Sequence, residues 1–215
     1  MEPNPWTRLP HDTYEKHMGH ESVRQLEALS RVVRDQLALV ADIEKPAVAI
    51  LGITGGNGLE HAAPGRYRSV IGVDINGEYL DVCRERYGHL PELELHRIDL
   101  TVEKDRAVEL LKNADLVTAN LLVKHIRLGN FMDIAAGLER PVVSVTVQFN
   151  PDGRSLSSSG YETAFEDIRR VGEECGEERL TAAMRGAGYK LIGRTEYPLP
   201  NGKMFIRLDY KKGEK

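Results

Sequence analysis

Apolar residues recur along this chain with two rhythms, and the change falls near Pro46. Between about Asp12 and Asp42, Leu26, Leu29, Val33, Leu37 and Val40 return every three to four residues with charges between them, the spacing that lines one face of a helix. Gly19 is the natural break if this is a helix pair. Ahead of it, Pro3, Pro5, Pro10 and Trp6 predict an extended lead-in whose order needs a partner.

Beyond Pro46, the apolar runs Ala47–Leu51, Ser69–Asp74, Leu93–Ile98, Ala114–Asn120 and Pro141–Gln148 alternate with helical candidates at Leu59–Ala63, Glu78–Tyr87, Glu103–Lys112 and Ile126–Glu139. Repeated strand and helix units predict an α/β fold around a mostly parallel sheet. Val142–Val147 has the unbroken apolar character of a strand covered on both faces. The polar stretch Asn150–Gly160 predicts a mobile loop at the sheet's working edge. A last helix over Tyr161–Ala187 leads to Tyr189–Tyr197, and Pro198–Gly202 turns the chain into Met204–Tyr210, an antiparallel hairpin signalled by Asn201-Gly202.

The 215 residues suit one domain, 1–215, with residues 1–45 as a helical extension and 46–215 as the core. A net charge of −4, with basic and acidic residues interspersed, argues against a nucleic-acid partner. No run approaches the roughly 18 apolar residues of a membrane span, and the first residues lack a signal-peptide layout, so a cytoplasmic protein with no membrane partner is expected. Cys83 and Cys175 fit no metal-ligand or disulfide spacing. His17 and His20 lack a completing carboxylate or thiolate nearby, so no metal is expected.

Candidate chemistry gathers where strands end. Val48-Ala-Ile-Leu-Gly-Ile-Thr-Gly-Gly-Asn-Gly-Leu-Glu-His61 reads as a strand, a glycine-rich turn and a helix start, where backbone can approach a ligand and free N–H groups point at it. The next strand ends in Asp74-Ile75, roughly 20 residues on, where an acid accepts hydrogen bonds from ribose hydroxyls or else caps the following helix. The third ends in Asp99-Leu100 and the fourth in Asn120, with cap and turn roles as their alternatives. In an open parallel sheet these ends converge at one crevice.

Together these motifs resemble the class I S-adenosylmethionine-dependent methyltransferases over about Ala47–Tyr210, and are similar to a sparsely characterised bacterial branch of them. The resemblance implies a Rossmann-like three-layer sandwich with a seven-stranded sheet and a C-terminal antiparallel hairpin, preceded here by a helical segment. It implies S-adenosyl-L-methionine as cofactor and S-adenosyl-L-homocysteine as product. It assigns donor contacts to Gly52, Thr54, Gly56, Asn57, Gly58, Asp74, Ile75, Asp99, Leu100 and Asn120. Two departures stand out: Gly52 replaces the acid usual before the first glycine, and that glycine is Thr54. Asn57, Glu60 or an N-terminal residue is left to hold the methionine end.

The lack of a basic patch points to a small-molecule acceptor, with Tyr14, His17 and His125 as candidate bases. The N-terminal helix either closes over the pocket or only packs on the sheet, and its apolar stripe serves a homodimer as well as its own core. An NAD-dependent oxidoreductase shares the glycine turn and the strand-two acid, but the closing hairpin and Asp99 favour the methyltransferase. A non-catalytic donor-binding module is the third reading. Asp74→Ala is expected to weaken donor binding and leave the fold intact.

Overall fold

The computed structural model describes residues 4–139, 141–151, 153 and 159–213. Seven strands, β1 (Ala47–Leu51), β2 (Ser69–Asp74), β3 (Leu93–Arg97), β4 (Leu116–Asn120), β5 (Val142–Phe149), β6 (Tyr189–Pro198) and β7 (Met204–Lys212), form one sheet in the order β3-β2-β1-β4-β5-β7-β6. The first five are parallel, and β7 runs antiparallel between β5 and β6. Strand order reverses between β1 and β4. There Leu51 pairs with both Val73 and Ala119, so Gly52, Asp74 and Asn120 reach one edge together.

Among the described residues, eight α-helices complete the frame: α1 (His11–Gly19), α2 (Gln25–Leu37), α3 (Gly77–Tyr87), α4 (Lys104–Leu111), α5 (Val123–Ile126), α6 (Leu128–Gly137), α7 (Glu166–Val171) and α8 (Glu177–Gly186). Strand side chains alternate between faces. Val48 and Ile50 join Val33 and Leu37 of α2 and Leu80 of α3, whereas Ala49 and Leu51 join Leu111, Phe131, Leu180 and Met184 on the opposite face. A third apolar cluster, including Leu9, Tyr14, Met18, Tyr79, Phe165 and Ile168, lies apart from these two and unites the N-terminal segment with α7.

The break at Gly19 is where the periodicity placed it. Leu29, Val33 and Leu37 are buried within their own chain, so that stripe is not left over for a dimer. Three expectations change. The helix expected at Leu59–Ala63 is a single 3₁₀ turn, Leu59–His61, ended by Pro64 and Gly65; α2 packs against this segment, with Val33 meeting Gly58. The Ile126–Glu139 helix is interrupted at Arg127, whose φ of 67° lies in the left-handed region. The Tyr161–Ala187 helix is split into a 3₁₀ turn, α7 and α8, with Gly172 and Gly176 at the breaks. Much of the expected Asn150–Gly160 loop, namely Asp152 and 154–158, lies outside the described residues. Among those described, no helix is long and apolar enough to cross a membrane.

Candidate functional site

The glycine turn is built around Asp74. Its Oδ2 accepts from the Thr54 amide at 2.9 Å and its Oδ1 from the Asn76 amide at 2.9 Å, which ties the end of β1 to the end of β2. The carboxylate is 7% exposed. Burial outweighs the backbone hydrogen bonds and pushes its pKa up to about 6. Thr54 adopts φ 51°, the left-handed conformation a glycine would take at about 1–2 kcal/mol less strain. Its amide bond to Asp74 and its hydroxyl contact with Tyr14 hold it there.

A cavity of about 770 Å³, within the usual range for small-molecule sites, opens at this edge. Gly52, Thr54, Asn57, Asp74, Ile75, Asp99, Leu100 and Asn120 line it, as do Tyr14, His17 and His125. Gly56 and Gly58 do not. A Cβ on Gly56 would sit 2.7 Å from the Tyr87 ring and 2.9 Å from Cys83 Sγ, and one on Gly58 would sit 2.4 Å from Val33 Cβ. These two glycines make room for helices, and only a 3₁₀ turn follows them, so no α-helix N-terminus follows the glycine turn. Glu60 is also elsewhere, bonded to Ser30 and the Gly58 amide. Asn57 remains at the cavity wall, its Nδ2 donating to the Leu26 carbonyl at 3.1 Å.

Asp99 does not cap α4, whose N-cap position is Glu103. Its Oδ1 accepts from the Thr101 amide and hydroxyl, shaping the turn before α4, while the residue lines the cavity. Asn120 is more committed than expected. It exchanges two 2.9 Å hydrogen bonds with Gln36 and accepts from Thr146 Oγ1 at 2.7 Å. Gln36 also reaches Ser144, which donates to Asp209, itself paired with Arg207 at 3.0 Å. One sequence signal could have found this network: Gln36 lies three residues after Val33 and one before Leu37, on the buried face of α2.

The N-terminal segment covers the cavity. Asn76 Nδ2 donates to the carbonyls of Trp6 and Leu9, the His11 amide donates to Glu78, and Arg86 Nη2 pairs with Glu15 at 2.9 Å. Trp6 packs edge-on to His125 with centroids 4.7 Å apart, and His17 packs on Phe165 at 4.5 Å. The lead-in therefore finds its ordering partner within its own chain. Trp6 Nε1, Tyr79 OH and His125 Nδ1 are buried polar atoms without partners beside this space.

The three candidate bases differ. Burial, then the Asp74 charge, push the Tyr14 phenol well above its usual range, so it stays protonated. Burial draws both imidazoles down, His125 strongly, so both are neutral at pH 7. His17 Nδ1 lies 2.5 Å from Ser159 Oγ. In the tautomer where Nδ1 donates to that hydroxyl, Nε2 keeps its lone pair.

No protein-family model and no curated protein sequence matches this chain. Solved structures do. The magnesium protoporphyrin IX methyltransferase of Synechocystis PCC 6803, crystallised with S-adenosylmethionine, superposes with a TM-score of 0.67 at 12% identity, covering 99% of either chain. The fold is that of the class I S-adenosylmethionine-dependent methyltransferases. The methyltransferase domain of bacterial CtHen1-C gives a TM-score of 0.62 at 15% identity over 87% of this chain and 100% of its own. The cyclase SpnF gives 0.60 at 11% over 88% and 82%. One methyltransferase fold thus carries differently named reactions, and function has to be argued from the site.

Proposed function

We propose that this protein is an S-adenosylmethionine-dependent methyltransferase acting, in the cytoplasm, on a small-molecule acceptor. The observation that carries the reading is Asp74, a buried carboxylate with no cation paired to it among the described residues, at the switch point of the sheet and facing a cavity that also holds the orphaned hydroxyl of Tyr79. A ribose diol supplies two donors to such a carboxylate and an acceptor to such a hydroxyl. Ile75 and Leu100 offer apolar surface to the adenine, Asp99 an acceptor for its amino group, and Asn57 and Gln25 polar contacts for the methionine end, in place of the acid absent at Gly52.

Bound S-adenosylmethionine supplies an electrophilic methyl group on a positively charged sulfur. Transfer would leave the carbon–sulfur bonding electrons on sulfur as a lone pair of the acceptor takes the methyl carbon. The chain's task is alignment and water exclusion, which Trp6, Tyr14 and Phe165 perform by roofing the cavity. If the acceptor carries a proton, His17 Nε2 takes it. Its depressed pKa keeps it unprotonated across neutral pH, so the rate is expected to fall only on acidification below the usual histidine range.

Thermal melting tests the donor. S-adenosylhomocysteine at about 100 times its Kd should raise the melting temperature by roughly 5–10 °C, with no response to NADH. The reverse pattern returns the oxidoreductase reading. Once an acceptor is in hand, His17→Asn should lower kcat roughly 100-fold or more and leave S-adenosylhomocysteine affinity within about twofold. An unchanged kcat removes His17 as base.

A further inference from the structure

Resting on the methyl-transfer reading, we propose that the acceptor is a small organic acid, apolar in body, whose carboxylate is taken by Lys124. The residue sits on α5, the one-turn helix that follows β4 at the switch point. The chain is held there by a left-handed Leu121 before it, a positive-φ Arg127 after it, and the Glu173 amide donating to the Lys124 carbonyl at 2.7 Å. The side chain lines the cavity and is partly buried, yet its ammonium makes no hydrogen bond or ion pair with any described residue.

Several other charged groups at the cavity have local partners. Asp74 is held by backbone amides, Asp99 by Thr101, Arg170 by Asp167 and Glu173 by Arg179. Glu166 and Arg169 are exposed at the rim. Glu174 acts on Lys124 through space without an ion pair, and Lys203 opposes it. A partly desolvated ammonium without a counter-ion is costly, and a ligand anion removes that cost through a charge-assisted hydrogen bond.

The surrounding wall sets the rest of the ligand. Met18, Leu29, Leu121, Phe165 and Ile168 face the same space, which suits an apolar body. A phosphoryl group is the poorer match. It calls for several converging donors or a guanidinium fork, whereas Arg170 is committed to Asp167, Arg169 is exposed, and no helix N-terminus follows the glycine turn.

The test is calorimetric titration of protein saturated with S-adenosylhomocysteine, using benzoate, phenylacetate and hexanoate, each beside its primary amide. At least one acid should bind wild type roughly 10- to 100-fold more tightly than its amide. Lys124→Met should abolish that preference while still binding the amide. Equal binding of acids and amides, a preference that survives in Lys124→Met, or no binding by any acid overturns the proposal. Failure of wild type to bind S-adenosylhomocysteine in the first titration instead removes the donor reading beneath it. Bound S-adenosylhomocysteine in each variant reports that it is folded.

Discussion

Asp74→Asn is expected to lower affinity for S-adenosylhomocysteine roughly 100-fold at neutral pH, the sum of two weakened hydrogen bonds to a charged acceptor. Wild-type affinity should itself depend on pH. With the apo pKa raised to about 6, the carboxylate is ionised at neutral pH and protonated on acidification, so affinity should fall about tenfold per unit below pH ~6. The asparagine variant should show no such slope. A wild-type affinity that stays flat from neutral pH to about pH 5 would remove the ribose role.

The same group gives stability the opposite dependence. Its folded pKa lies above the ordinary aspartate value near 3.8, so between about pH 4 and 6 the native state binds more protons than the unfolded one. Apo stability should therefore decline as pH rises through that window. The contribution is roughly 3 kcal/mol, and it is absent in Asp74→Asn. Asparagine is the informative substitution because its Oδ1 still accepts a backbone hydrogen bond. Asp74→Ala would orphan the amides of Thr54 and Asn76, so the expectation of an intact fold does not carry over to alanine.

Gly58→Ala should destabilise the protein by about 2–5 kcal/mol, lowering the melting temperature by roughly 5–15 °C. Gly58 has φ 95°, and an added Cβ would lie 2.4 Å from Val33 Cβ, a branch point that cannot rotate aside. Gly65→Ala is the control. It has φ 77° with nothing within 4 Å of the added carbon, so only backbone strain of about 1–2 kcal/mol remains. If Gly58→Ala melts with Gly65→Ala but loses S-adenosylhomocysteine affinity, the glycine serves the ligand after all and the packing account fails.

The contrast between Gly52 and Gly58 marks how far sequence reasoning reaches. Both stand in one glycine-rich run, and nothing local separates them. Gly52 reaches the cavity while Gly58 is pressed against α2, a helix more than twenty residues away in sequence. The expected helix at Leu59–Ala63 failed for a related reason: Pro64 and Gly65 end it after one turn, and α2 packs alongside. The Tyr161–Ala187 expectation failed because apolar spacing there serves two short helices, α7 buried with the N-terminal cover and α8 on the sheet.

The sequence by itself determined the seven strands, the closing hairpin, the glycine turn and the polar strand ends Asp74, Asp99 and Asn120. In β1, β2 and β4 burial on both faces imposes a near-continuous apolar run with a sharp stop, a signal written within a few consecutive residues, whereas β3 at the sheet edge is only partly buried. Only the tertiary structure decided which glycines face the cavity, that Gln36 secures Asn120, that the N-terminal segment and α7 roof the site, and that Lys124 stands there without a partner among the described residues. Each of these is a contact between residues far apart in the chain, fixed by packing geometry that no local pattern encodes.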